Sequence, residues 1–138
     1  MFQHRKQNRL AIASILAALA GGTPAQMAWA HHSFAMFDNA KTSTIVGTIK
    51  DLDWVNPHSW LDVIAPDPSG KTTVWAFEGN GPSDLYKAGW RRSAIKPGDK
   101  ITVSFHPLRD GRPGGSLLSV ILADGTHLAA SPKRPPAS

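Results

Sequence analysis

The chain has 138 residues, of which 41% are apolar, 18% are charged and none is cysteine, and it carries a formal charge of +5. That length fits one modest domain. The lack of cysteine excludes disulfide scaffolds, thiolate nucleophiles, iron–sulfur clusters and cysteine zinc sites, so any metal must be held by histidine, carboxylate or backbone groups.

The first thirty residues differ in composition from the rest. Arg5, Lys6 and Arg9 precede an uncharged apolar run from Leu10 to Ala20, and Ala28-Trp29-Ala30 offers small residues at the two positions a signal peptidase reads. Eleven apolar residues are too few to span a bilayer, which takes roughly 20. The expectation is a cleaved secretory signal over 1–30, a periplasmic or secreted protein, and no transmembrane anchor after processing. Cleavage removes three basic residues and no acidic ones, leaving 108 residues with a charge of +2. The remaining basic residues are scattered, which argues against nucleic-acid binding.

Thr44 to Leu52 is rich in β-branched residues and reads as a first strand, with Gly47 as a bend or bulge. Trp60 to Ala65 and Thr72 to Glu78 form a second and third strand, joined by the turn Asp67-Pro68-Ser69-Gly70. Ser83 is placed to cap a short helix over Asp84 to Ala88, which Gly89 ends. Lys96-Pro97-Gly98-Asp99 suits a type II turn before a fourth strand, Ile101 to Phe105. After a glycine-rich loop from Arg109 to Gly115, Leu117 to Leu122 forms a fifth strand, and Asp124-Gly125 turns the chain into a short sixth over Thr126 to Leu128. Residues 129–138 are Pro-rich and read as a disordered tail.

This order predicts a mainly β, five- to six-stranded OB-like barrel over 31–128, with one short helix between strands 3 and 4. A flat sheet with one helix is the competitor. The barrel is favoured because Trp60 and Ile64 oppose Leu61 and Val63, and Trp75 and Phe77 oppose Val74 and Ala76, so both faces of the hairpin are apolar. An arm over Phe34 to Phe37 would cover the outer face. Leu61, Val63, Val74, Ile101, Val103 and Val120 are the expected core.

Five stretches, taken in order, resemble an exported bacterial family known as domain of unknown function 6152. They are His31-His32-Ser33-Phe34, Trp54-Val55-Asn56-Pro57-His58, Trp75-Ala76-Phe77-Glu78-Gly79, Gly89-Trp90 and Lys96-Pro97-Gly98-Asp99. The resemblance implies an exported, compact, β-rich protein and supplies no catalytic residues.

Familiar catalytic patterns are missing. Gly79-Asn80-Gly81 begins like a dinucleotide fingerprint, but Asp84 stands at its third glycine. There is no phosphate loop, nucleophile elbow or spaced carboxylate pair, and the chain reads as a binding protein rather than an enzyme. Histidine stands out. Cleavage after Ala30 makes His31 amino-terminal, so its α-amine and ring Nδ1 can chelate one ion. A second imidazole completes the T-shaped three-nitrogen set that suits Cu(II), an arrangement resembling the histidine brace of exported copper proteins. His58, set by Asn56-Pro57 at the start of the second strand, is the chosen partner, and His32 is the alternative ligand. Zinc would need a fourth ligand such as Glu78 or water. The alternative function is a non-enzymatic barrel for a small ligand or protein partner, bound along the second and third strands through Trp60, Trp75 and Glu78, with Trp54 and Trp90 as further possible walls of the groove.

Overall fold

A computed structural model of the protein describes residues 35–132. Six strands carry the fold: β1 (Ser43–Asp53), β2 (Trp60–Pro66), β3 (Thr72–Glu78), β4 (Lys100–Pro107), β5 (Gly114–Leu122) and β6 (His127–Ala129). One α-helix, α1 (Pro82–Lys87), and a single 3-10 turn, Arg92–Ala94, lie between β3 and β4. The sheet order is β3-β2-β1-β4-β5-β6, and a parallel β3–β5 pairing closes the first five strands into a barrel with β6 as an extra strand. This is the OB-like topology expected, and closure removes the exposed edges that a flat sheet would leave.

The eleven-residue β1 serves both halves of the barrel. Its first part, Ser43 to Thr48, pairs with β4, and Thr48 to Asp53 pairs with β2. The register slips between Ile49 and Asp51, so the bulge falls at Lys50 rather than at Gly47. Gly47 is a point of close approach: a Cβ there would lie 2.5 Å from Val63 Cγ1 and 2.6 Å from Ile64 O, so its lack of a side chain leaves room for β2.

Turn chemistry explains the connections. In the β2–β3 hairpin Gly70 N donates to Asp67 O at 2.8 Å, and the Asp67 carboxylate takes Ser69 Oγ at 2.6 Å, Ser69 N at 2.9 Å and Lys71 N at 3.0 Å. Those bonds, led by the Ser69 hydroxyl and opposed by partial desolvation, hold Asp67 below the usual carboxylate pKa. In the turn before β4, Asp99 N donates to Lys96 O and Gly98 has φ +93°, the positive angle a type II turn requires. Ser83 does not cap α1. The cap is Gly81, and Pro82 occupies the first helical position, where a missing N–H costs nothing.

Alternation along the strands decides the core. Leu61, Val63, Ala65, Trp75, Phe77, Ile101, Val103, Phe105 and Val120 face inward, and Phe77 and Phe105 meet at 4.8 Å between ring centroids. Val74, expected inside, is exposed instead, because Trp75 and Phe77 claim the inner face of β3 and alternation turns Val74 outward opposite Ile64. Of the arm expected to cover the outer face of this hairpin, Phe34 lies outside the described residues and Phe37 packs elsewhere. Phe37 is buried and bridges to Leu108 beside the end of β4, while Trp60, Ile64 and Val74 remain exposed.

The ordered barrel extends beyond the expected boundary at 128. Ala129 belongs to β6, and buried Ala130 donates its N–H to Leu118 O at 2.9 Å and accepts Asn80 Nδ2 at 3.0 Å. The expected signal segment over 1–30, residues 31–34 and residues 133–138 lie outside the described residues. Among the described residues no helix is long and apolar enough to cross a membrane.

Candidate functional site

His58 sits in the loop between β1 and β2, and Glu78 ends β3. Two main-chain bonds draw these segments together: Ser59 N donates to Asn80 O at 3.2 Å and Gly79 N to Ser59 O at 2.8 Å. Gly81 reinforces the approach, since a Cβ there would come within 2.9 Å of the Pro57 carbonyl oxygen. The result is a dyad in which His58 Nδ1 lies 2.5 Å from Glu78 Oε1. The imidazole is 39% exposed and the carboxylate only 12%. A carboxylate engaged at Nδ1 fixes the ring's orientation and leaves Nε2 as the donor available to a metal or an incoming proton.

The other expected residues divide between the two faces of the sheet. Trp60 pairs in register with Glu78 and is exposed beside the dyad. Trp75 points inward, stacked on Phe77 at 6.3 Å and edge-on to Phe105 at 5.7 Å, so its ring fills the core and shares no surface with Trp60. Its indole Nε1 and the hydroxyl of Ser59 are buried without a hydrogen-bond partner among the described residues. His31 and His32 lie outside the described residues. No group of three or more histidine, aspartate or glutamate side chains among the described residues could hold a metal by itself. His106 is committed to the main chain, its Nδ1 2.6 Å from Lys41 O.

A concavity forms around Trp54 and Trp90, two of the four tryptophans read as possible groove walls, and the sequence reading did not anticipate its arginines. It has a volume of about 500 Å³ and is lined by Trp54, Pro82, Tyr86, Trp90, Arg91, Arg92 and Ser93. The Arg91 guanidinium lies 3.8 Å from the Tyr86 ring centroid, and that of Arg92 lies 5.5 Å from the Trp54 centroid. The adjacent run Trp90-Arg91-Arg92 was the available signal, but Trp54 joins it only through the tertiary fold.

A family model described as a family of unknown function, DUF6152, matches residues 19–117. No curated protein and no solved structure matches the chain.

Proposed function

The chain belongs to the DUF6152 family, which is of unknown function, and from its own side chains we propose that it is an exported copper-binding or copper-handling protein. In this reading, cleavage after Ala30 exposes His31, whose α-amine and Nδ1 chelate Cu(II), and His58 Nε2 supplies the third nitrogen. His32 is the reserve ligand.

The observation that carries the reading is the His58–Glu78 dyad. Metal-bound histidines regularly give their second ring nitrogen to a carboxylate, which fixes the tautomer and raises the basicity of the ligating nitrogen. His58 has that partner at Nδ1, is partly open to solvent, and lies at one end of the barrel. A tetragonal three-nitrogen set favours Cu(II), which also heads the affinity order for divalent first-row ions.

The test is titration of Cu(II) into two preparations, one beginning at His31 and one carrying an extra residue before it. One-to-one binding with nitrogen hyperfine structure in the electron spin resonance spectrum is expected for the first and not for the second or for His58→Ala. Equal binding by all three, or by none above a denatured control, overturns the reading. The second reading, a barrel that binds a small organic ligand, draws its support from the concavity around Trp54.

A further inference from the structure

We propose that the Trp54–Arg92 concavity is a binding site for a planar aromatic carboxylate of one or two rings. The inference is independent of the copper reading, because none of the lining residues belongs to the His31–His58 set.

Shape, charge and orientation each contribute. The concavity holds about 500 Å³, within the range of small-molecule sites and roomy for one or two fused rings. Two walls are aromatic, Trp54 from the segment after β1 and Tyr86 from α1, and the fully buried Trp90 backs them from beneath. Flat rings offer their faces to a flat ligand through offset or edge-on contact.

The charged groups among the lining residues are two guanidinium groups, with no carboxylate. Asp84, on the same helix as Tyr86, is engaged with Lys87 at 3.5 Å. The field in the concavity is therefore positive, and its ligand should be an anion.

The two arginines have different duties. Arg91 Nη1 donates to Tyr86 O at 2.9 Å and to Trp90 O at 2.7 Å, so Arg91 is spent on holding the helix end and stacking on Tyr86. Arg92 makes no hydrogen bond or ion pair among the described residues and only leans over Trp54. Its planar fork is free to take a carboxylate through two parallel N–H bonds while the ligand's ring lies against Trp54. A single-point cation such as lysine would satisfy charge alone, whereas guanidinium above an indole selects a ligand that is both flat and anionic.

The experiment titrates 2-naphthoate into the protein, followed by calorimetry and by the indole N–H resonances of the tryptophans. Saturable one-to-one binding is expected, with the Trp54 signal moving and the Trp60 signal still. Neutral 2-naphthalenemethanol, and naphthoate with Arg92→Gln, should each bind about tenfold more weakly. Because Arg92 is exposed, its replacement leaves the fold intact, and an unchanged melting curve serves as the control. Equal affinity for acid and alcohol, equal affinity of Arg92→Gln, movement centred on Trp60, or no saturable binding overturns the assignment.

Discussion

Trp90 Nε1 donates to the Ala129 carbonyl at 2.7 Å, across the gap between the helical segment and the last strand. The Trp90 ring is fully buried, so this bond ties α1 and its following turn to β6 from inside the protein. It also accounts for why the chain stays ordered past residue 128, since β6 and Ala130 are held by Trp90, Leu118 and Asn80 together. Trp90→Phe strands the Ala129 carbonyl and leaves a void, and it should cost roughly 1–3 kcal/mol. Urea denaturation checks this, and truncation after Leu128 should lower the midpoint in the same direction.

Barrel closure predicts a second effect. Gly114 has φ +145°, and a Cβ there would collide with the Ala76 carbonyl oxygen, while one on Gly115 would strike His106 O and the Phe105 ring. These glycines let β5 run against β3 at the parallel seam. Gly114→Ala should destabilise by about 1–3 kcal/mol through overpacking and a strained backbone, read as a lower urea midpoint. A control at Gly111, where a Cβ meets nothing within 4 Å, should lose less.

Glu78→Gln keeps the size of the side chain but removes the charge that backs His58. Under the copper reading, metal affinity should fall about 10- to 100-fold, with little change in the melting curve. Competition against a chelator of known affinity measures it. An unchanged affinity would separate Glu78 from metal binding.

Processing comes before any chelation by His31. If the proposed export holds, the intact mass of the protein recovered outside the cytoplasm should correspond to a chain beginning at His31, and copper affinity should weaken as pH falls through about 7.7 to 8.0, the ordinary range of an α-amine, because the chelating amine must lose its proton. A start at Met27 or His32 removes the proposed chelate.

Asp67 supplies a pH-dependent part of the hairpin's stability. Its folded pKa is depressed, first by the Ser69 hydroxyl and then by main-chain N–H groups, so its contribution is fully present above the unfolded value of about 3.9 and is lost as pH falls through the lower folded value. Carboxyl NMR titration should place its midpoint below that of an ordinary aspartate. The stability gap between wild type and Asp67→Asn should shrink in acid.

Much of this architecture is written locally. The turns at Asp67–Gly70 and Lys96–Asp99, the helix stop at Gly89 with φ +101°, and the alternation of β2 and β3 each depend on residues only a few positions apart. Their steric and hydrogen-bonding preferences act before any long-range contact forms. His58 and Glu78 could be singled out in the same way, as polar residues beside a proline turn and at a strand end. Alternation separates two faces but does not say which one lies inside. Only barrel closure, which packs Trp75 and Phe77 against Phe105, sends Val74 and Trp60 outward. The bulge went to Lys50 because β1 must change partners from β4 to β2, a demand that no local pattern in β1 contains. The 2.5 Å approach of His58 to Glu78 and the gathering of Trp54 with Arg91 and Arg92 likewise depend on segments distant in the chain. The residue types were legible in the sequence, but their convergence follows from how the closed sheet and its loops bring the segments together.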